Sequence, residues 1–230
     1  RSVKSILKQS LLPNELLIVF DGPVNKKIIS FLYKLKKNNL RIIRFKKNSG
    51  LGPTLKKAIK LSKYEIIIRA DSDDINKKDR FKILINFFKK NAKYDVVGSY
   101  IQEIDNFKRY IKKVPTNHED IVKKLIYRNT INHPSVAFKK KIILKFGSYQ
   151  NVPYFEDYYL WFKLSFNKVK FYNINKVLVT TYRDQNFLKR RSGYLYFKFY
   201  LLFLKKIYLK RYINKKEFIN NLLIRFLILN

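Results

Sequence analysis

The acidic residues of this chain could do chemistry, because they are few and several of them stand together. Only 16 of the 230 residues are Asp or Glu, against 51 Lys and Arg. Asp71, Asp73 and Asp74 lie within four positions, two residues beyond the end of the apolar run 66–68. Carboxylates this close repel one another unless a cation offsets them. Asp71 and Asp73 could therefore hold a hard divalent ion together with substrate phosphates, and the alternative is a solvated turn that caps the next helix.

A second acidic pair, Glu156-Asp157, opens a predicted helix over 156–166 that buries Trp161. A carboxylate that projects from this point into a cleft could act as a general base on a hydroxyl group. The alternative is plain stabilisation of the helix, since acidic side chains in a first turn are favoured by the helix dipole.

The segment 48–52, Asn-Ser-Gly-Leu-Gly, could cradle a phosphate before a helix. It lacks the third glycine of GxGxxG and the GK[ST] of a P-loop, which argues against a nicotinamide or ATP site and leaves a tight turn as the alternative. His118 and His133 are too few and too far apart for a recognisable zinc site, and we expect His133 to be structural. The absence of cysteine excludes a zinc finger, a thiol nucleophile and a disulfide scaffold.

Apolar runs place two of the acids at the ends of predicted strands. Residues 16–20 form a continuous apolar run that ends at Asp21, and the run 66–68 ends shortly before Asp71. Continuous apolarity is typical of strands that are buried on both faces. With predicted helices between them, the alternation indicates an open α/β sheet, which binds ligands outside the carboxyl ends of its strands.

The rest of the chain continues the mixed pattern. It predicts the following elements: helices over 24–38, 51–62, 79–91 and 117–127, and strands over 41–45, 94–104, 107–114, 134–138, 169–173 and 176–182.

The net charge of +35 attracts phosphates and anionic lipid head groups. It raises a charge-driven nucleic-acid-binding protein as an alternative function, although no RNP1 pattern, helix-turn-helix spacing or zinc knuckle supports one. The dominant residue types have A/T-rich codons, so nucleotide bias explains much of the charge. The apolar content of 47% excludes a disordered basic tail.

From about Gly193 the chain becomes apolar, aromatic and basic. The run 194–204 is too short to span a bilayer. On a helical wheel four lysines gather opposite the aromatic side chains, which fits a helix lying in a membrane interface; they are Lys198, Lys205, Lys206 and Lys210. The alternative is a helix packed on its own domain with a solvated basic face. We therefore predict one domain over 1–190 and a helical basic tail over 191–230.

Four segments occur in an order and spacing that resembles the family 2 glycosyltransferases of GT-A fold, in particular the amylovoran-type enzymes of bacterial surface-polysaccharide assembly. They are QSLLPNELLIVFDGP, NSGLGPTLKKAIKLSKYEIIIRADSDDINKKDRF, NHPSVAF and FGSYQNVPYFEDYYLWFKL. The resemblance covers about residues 1–185 and implies an open mixed sheet flanked by helices. Family members begin with a strand and loop before the helix that starts here at Arg1, so the sequence is expected to lack the first strand. An inactive fragment is therefore a further alternative.

The resemblance also implies roles on the donor side of an inverting transfer from a nucleotide-diphosphate sugar, such as a UDP-sugar. Asp21 matches the acid that hydrogen-bonds the base. Asp71 and Asp73 match the DXD acids that hold Mn²⁺ or Mg²⁺ against the diphosphate. Arg69 and Gly52 match positions near the nucleotide pocket.

On the acceptor side, the resemblance makes Asp157 the base that deprotonates a hydroxyl, with Glu156 beside it. The implied acceptor is a lipid-linked glycan at the cytoplasmic face of a bacterial inner membrane, with peripheral contact through 193–213 and no specific nucleic acid. The QxxRW motif of processive synthases is absent from the sequence, which favours single-sugar addition.

Overall fold

The computed structural model describes residues 1–35, 38–105, 108–183 and 191–229 as an α/β protein. Its helices are α1 Ser2–Leu7, α2 Lys26–Lys34, α3 Leu51–Leu61, α4 Arg80–Lys90, α5 His118–Leu125, α6 Lys140–Lys145, α7 Glu156–Ser165, α8 Gly193–Leu209 and α9 Lys215–Leu229. Its strands are β1 Leu16–Asp21, β2 Leu40–Phe45, β3 Ile66–Ile68, β4 Ile75–Asn76, β5 Val96–Asp105, β6 Lys108–Lys112, β7 Ala137–Lys139 and β8 Phe171–Arg183.

The strands form a parallel pair and a mixed sheet. In the pair, β1 lies parallel to β2, from Leu16 opposite Leu40 to Asp21 opposite Phe45. The mixed sheet has the order β3-β7-β5-β8-β4, and β6 pairs with β5. Within that sheet β5 and β8 run parallel, whereas β7 is antiparallel to both β3 and β5. This arrangement agrees with the expected open mixed sheet flanked by helices.

The main core lies around α7, which is apolar on almost every side. Residues 158–164 of this helix are all buried, and Trp161 is fully buried. A helix that is apolar all round must be covered on all sides, and α7 packs against both α5 and α8. The predicted helix and its buried tryptophan are confirmed.

Most aromatic side chains of α8 pack on the protein, whereas Tyr194 at its start is 81% exposed. Phe203 stacks on Phe155 with ring centroids 4.9 Å apart, and it contacts Tyr158 at the same distance. Three of the four lysines that the helical wheel places on one side are exposed, but Lys206 lies over the ring of Tyr159 at 4.4 Å. Within the described residues, no helix combines the length and the apolarity needed to cross a membrane.

Three local predictions need correction. The strand predicted over 134–138 is a 3₁₀ turn, His133–Ser135, followed by β7, because Pro134 has a fixed φ and no N–H to give to a strand. The strands predicted over 169–173 and 176–182 form one continuous strand, β8. The two apolar runs are partly exposed rather than buried on both faces, since the middle of β1 and all of β3 are only half-buried.

Candidate active site

Helix α1 holds the acidic segment that follows β3 in place. The Ser2 hydroxyl donates to the carbonyl of Asp71 at 2.6 Å. One turn later the Ser5 hydroxyl accepts from the backbone N–H of Asn76 at 3.0 Å. Because these side chains bond to backbone groups, they fix the path of the chain on both sides of Asp73.

Arg69 and Asp71 form a two-pronged ion pair at the centre of this segment. Both terminal nitrogens of Arg69 donate to the two carboxylate oxygens of Asp71. The arginine is 8% exposed, and its carbonyl accepts from the fully buried Arg80 at 2.7 Å. Burial and the nearby Arg69 lower the pKa of Arg80 to about 9.

The two remaining acids of the segment differ in their surroundings. Asp73 is exposed, whereas Asp74 is 4% exposed and its Oδ2 has no hydrogen-bond partner among the described residues. Burial first, and then the charges of Asp71 and Asp73, raise the pKa of Asp74 to about 7 against the opposing charges of Arg69 and Arg80. Asp74 therefore exchanges a proton near neutral pH.

The family resemblance assigns a divalent ion to Asp71 and Asp73, and in this structure both carboxylate oxygens of Asp71 accept from Arg69. In the part of the chain that the structure describes, no three Asp, Glu, His or Cys side chains come together as a metal-holding group. A hard ion such as Mg²⁺ commonly takes one or two carboxylates and completes its shell with water and substrate phosphates. Two acids would suffice for such an ion beside a phosphate ligand, provided that Asp71 exchanges its pair with Arg69 for the metal.

Asp21 ends β1 and organises the loop that leads into α3. Its two carboxylate oxygens accept from the backbone N–H groups of Ser49 and Gly50, at 2.8 and 2.9 Å. Gly50 has a φ of +86°, which favours glycine, and it is the N-cap of α3. These two bonds hold the loop next to Asp21. Because a carboxylate has about four acceptor positions, Asp21 can accept further hydrogen bonds.

Gly52 is where the first turn of α3 meets the first turn of α7. A Cβ atom built on Gly52 would lie 2.4 Å from the carbonyl oxygen of Gln150 and 3.0 Å from Cγ of Glu156. Only a residue without a side chain permits this approach. The close contact connects the Asp21 loop to the segment that carries Glu156 and Asp157.

Asp157 has one oriented partner on the facing loop. The side-chain amide of Asn129 donates to its Oδ2 at 2.7 Å. Protein packed around the carboxylate raises the pKa of Asp157, and the bond from Asn129, the backbone N–H of Tyr158 and the charges of Arg69 and Arg191 partly offset this. Burial also raises the pKa of Glu156. A carboxylate with an elevated pKa is a stronger base, as general-base catalysis requires.

Tyr149 is a buried side chain on which charges of both acidic segments act. It is fully buried, and its hydroxyl lies 2.8 Å from Nε2 of His133. Burial raises the pKa of this tyrosine, and four charged residues also act on it; they are Arg69, Asp71, Glu156 and Asp157. Both acidic segments predicted from the sequence therefore act electrostatically on the same buried side chain.

His133 is neutral in this setting, because burial and the charge of Arg69 keep its pKa well below the ordinary value. Its bond to Tyr149 agrees with the expected structural role, which stays a prediction.

Sequence reasoning missed Asn129, Tyr149 and Arg80. Asn129 stands in a polar loop with no motif around it, and Tyr149 is one of 17 tyrosines. Arg80 reads from the sequence as one more surface cation, although it is completely buried. No local pattern marks any of them, since each gains its role from a partner distant in the sequence.

The sequence matches one protein family and is similar to several known glycosyltransferases. Residues 1–159 match the family described as Glycosyl transferase family 2. The chain is 34% identical, over 228 residues, to UDP-Gal:alpha-D-GlcNAc-diphosphoundecaprenol beta-1,3-galactosyltransferase of Escherichia coli, covering 97% of this chain and 82% of that protein. It is 28% identical, over 198 residues, to the amylovoran biosynthesis glycosyltransferase AmsE of Erwinia amylovora, covering 85% and 74% of the two chains.

Among solved structures, S. aureus TarS 1-349 in complex with UDP-GlcNAc superposes with a TM-score of 0.67 at 18% identity. The match covers 90% of this chain but spans only 61% of that one. At this level of identity the likeness concerns the fold.

Proposed function

This chain belongs to glycosyl transferase family 2, and from that premise we propose that it is an inverting glycosyltransferase of bacterial surface-polysaccharide assembly. It moves a sugar from a nucleotide-diphosphate donor, a UDP-sugar, to a hydroxyl group of a lipid-linked glycan. The product belongs to a capsule, an exopolysaccharide or a lipopolysaccharide.

The observation that carries this proposal is the close contact at Gly52, where the loop bound by Asp21 meets the segment that carries Glu156 and Asp157. The charges of Asp71 and Arg69 also act on the same buried tyrosine, Tyr149, as those of Glu156 and Asp157. Transfer from a diphosphate donor needs two kinds of group that lie close enough to act on the two sides of one bound sugar. One kind must stabilise charge on the leaving phosphate, and the other must take a proton from the attacking hydroxyl. The two acidic segments are suited to these two tasks.

Asp157 is the general base of the proposed reaction. It takes the proton of the acceptor hydroxyl while that oxygen forms a bond to the anomeric carbon of the donor. The bond from the anomeric carbon to the phosphate oxygen breaks, and the nucleoside diphosphate leaves with the electron pair. Attack opposite the leaving group inverts the configuration. Asn129 holds the carboxylate, and Glu156 shapes the cleft beside it.

The donor lies against the other acidic segment. Asp21 hydrogen-bonds the nucleotide base. Its carboxylate also holds the backbone N–H groups of Ser49 and Gly50 in the adjacent loop. Arg69 is a bidentate donor suited to phosphate oxygens, and Gly52 lets the two helix starts close on the nucleotide.

Asp71 and Asp73 would hold Mn²⁺ or Mg²⁺ with the diphosphate. The ion would supply Lewis-acid stabilisation of the leaving group.

The name of one relative and the character of the tail support the proposed acceptor and location. The E. coli relative is named for a diphosphoundecaprenol-linked acceptor, which is a membrane lipid. We assign this chain an acceptor of the same class, a peripheral place on the cytoplasmic face of the inner membrane, and contact through 193–213. Residues 1–190 form the catalytic part and 191–230 the helical part, and the two share one core.

The test is Asp157→Asn, which keeps the shape of the side chain and removes its basicity. General-base catalysis contributes roughly 10²–10⁴-fold, so kcat should fall by that factor while the affinity for the UDP-sugar, measured by calorimetry, stays the same. Asp120→Asn is the matched control, because Asp120 also lies in the first turn of a helix but is exposed on α5.

Equal transfer by Asp157→Asn and the unsubstituted enzyme would remove Asp157 from its role. Failure of the unsubstituted enzyme to bind any UDP-sugar, with or without Mn²⁺, would overturn the donor class.

A further inference from the structure

A cavity of about 240 Å³ lies between α5, α7 and the turn that joins α8 to α9. Most of the side chains that line it are apolar; they include Val122, Leu125, Ile126, Phe162, Phe166 and Tyr212. The rings of Phe166 and Tyr212 lie 4.8 Å apart between centroids. An apolar cavity of about 150 Å³ already holds a molecule of the size of benzene, so this cavity has room for a segment of a hydrocarbon chain.

The cavity lies on the far side of α7 from the proposed base. Phe162 and Phe166 follow Asp157 by five and nine residues along this helix. With 3.6 residues per turn, they leave the helix about 140° and 180° around its axis from Asp157. The cavity is therefore separate from the cleft in which a donor sugar and an acceptor hydroxyl would meet.

The rim of the cavity carries an arginine in a strained backbone conformation. Arg211 lines the cavity and has a φ of +57°. Its N–H donates to the carbonyl of Tyr208 at 2.8 Å, and the N–H of Tyr212 donates to the carbonyl of Ile207 at 2.9 Å. This is the Schellman ending of a helix, whose left-handed position is usually glycine. Strained positions of this kind cluster at sites that bind ligands.

The turn has a surplus of positive charge. Four exposed cations lie within seven residues; they are Lys210, Arg211, Lys215 and Lys216. The ion pairs among the residues that the structure describes all involve other cations. Glu217 also lines the cavity, but its carboxylate accepts from the backbone N–H of Asn214 at 2.8 Å. The cavity thus combines an apolar interior with a rim that attracts anions.

Exposed apolar side chains adjoin this rim. Phe166 is 55% exposed, and Leu209, two residues before Arg211, is 67% exposed. Apolar side chains next to lysine and arginine are typical of protein segments that lie in a membrane interface.

We propose that the cavity binds one hydrocarbon chain of an anionic membrane phospholipid, and that Arg211 binds the phosphate of that lipid. The inference rests on the peripheral membrane contact of the proposed function and adds a site for a single lipid to it. A phospholipid joins a phosphate to a hydrocarbon chain, which matches the cationic rim and the apolar interior. Arginine suits phosphate because it donates paired N–H groups.

The experiment titrates the full chain calorimetrically with decyl phosphate, a soluble molecule that carries both parts of the ligand. Inorganic phosphate is the comparison ligand, because it lacks the chain. At physiological ionic strength, decyl phosphate should bind roughly 100-fold more tightly than inorganic phosphate, as burial of a few CH₂ groups predicts.

Two substitutions test the two halves of the site. Val122→Phe places a phenyl ring in the cavity, and Arg211→Gln removes the paired N–H donors at its rim. Each should weaken the binding of decyl phosphate roughly ten-fold or more and leave the affinity for UDP unchanged. Arg211→Gly removes the same charge and relieves the strained φ. It should therefore bind decyl phosphate as weakly as Arg211→Gln while its melting temperature is at or above that of the unsubstituted protein.

Arg109→Gln is the matched control for charge. Arg109 is exposed on β6 and does not line the cavity, so its loss should leave the affinity for decyl phosphate nearly unchanged. Sedimentation with vesicles of phosphatidylcholine, with and without phosphatidylglycerol, then tests the bilayer itself. Binding to the anionic vesicles should fall more in Arg211→Gln and Val122→Phe than in Arg109→Gln.

Four results would overturn the inference. Equal affinities for decyl phosphate and inorganic phosphate would mean that the cavity takes no chain. Equal losses in Arg109→Gln and Arg211→Gln would mean attraction by overall charge. A dimer that forms without lipid and dissociates in Val122→Phe would assign the cavity to a second copy of this chain. Slower transfer by Val122→Phe to a farnesyl-linked acceptor, with unchanged binding to vesicles, would place the chain of the acceptor there.

Failure of the protein to bind UDP is scored separately. It would contradict the proposed donor and leave the titration with decyl phosphate to judge the lipid site.

Discussion

Replacement of Gly52 by alanine should damage catalysis more than stability. The new Cβ would lie 2.4 Å from the carbonyl oxygen of Gln150, about 1 Å short of ordinary contact at 3.4 Å. That oxygen belongs to the backbone, so the segment as a whole must move. Because the same Cβ would press on Glu156 at 3.0 Å, the start of α7 moves with it and carries Asp157 along.

The magnitude follows from that displacement. Overpacking of this kind costs about 1–3 kcal/mol of stability, and each kcal/mol lowers the melting temperature by about 2–4 °C in a chain of this size. A misplacement of about 1 Å can reduce a rate roughly 10²-fold. We therefore expect Gly52→Ala to fold, to melt several degrees lower, and to lose about two orders of magnitude in kcat.

The assay combines steady-state transfer kinetics with thermal unfolding of the same preparations. Leu51→Ala is the control, because Leu51 lies in the same turn but is 45% exposed, and such surface changes usually stay within about 0.5 kcal/mol. A Gly52→Ala variant with the kcat and melting temperature of the unsubstituted enzyme would refute the close approach of α3 and α7 as the device that positions the base.

Three further substitutions test separate parts of the site. Asn129→Leu removes a bond that lowers the pKa of Asp157, so the acidic limb of the kcat profile should move to higher pH; an unmoved limb would contradict the contact. Asp74→Asn removes a carboxyl whose folded pKa of about 7 lies above its ordinary 3.8. The folded state holds this proton more tightly than the unfolded chain, so the carboxyl costs stability progressively as the pH rises from about 3.8 to about 7, and the full cost remains above that. In metal-free denaturant titrations, the free energy of unfolding of the variant should therefore exceed that of the native chain by up to about 3–4 kcal/mol at pH 8 and by little at pH 4. The control Asp79→Asn, at an exposed position, should leave the free energy of unfolding unchanged. Arg69→Lys cannot make both bonds of a bidentate pair, so UDP-sugar affinity should fall about ten-fold; an unchanged affinity would place Arg69 outside the donor site.

Sequence patterns predicted those parts of the fold whose causes are local. The apolar run before Asp21 is the strand β1, and the helix that begins at Glu156 is bounded within one residue of its prediction. The family resemblance, drawn from four ordered segments, is confirmed by the match over residues 1–159. These features depend on composition and spacing within short windows, which a sequence displays directly.

The rest depends on contacts between distant parts of the chain. The partner of Asp157 is 28 positions away at Asn129, and the partner of Tyr149 is 16 positions away at His133. The helical wheel places Lys206 on one side with three exposed lysines, but the fold brings the ring of Tyr159 beneath it.

The packing of α8 on the start of α7 has a consequence for the newborn protein. Phe155 directly precedes the acidic pair, and Phe203 covers it. Protein chains emerge from the ribosome with the amino-terminal part first, so the loop at Asp21 and the segment at Asp71 can fold while residue 203 is still unmade. The helix that carries Asp157 therefore receives its aromatic cover only after residue 203 has been added, later than the elements that hold Asp21 and Asp71 have been made.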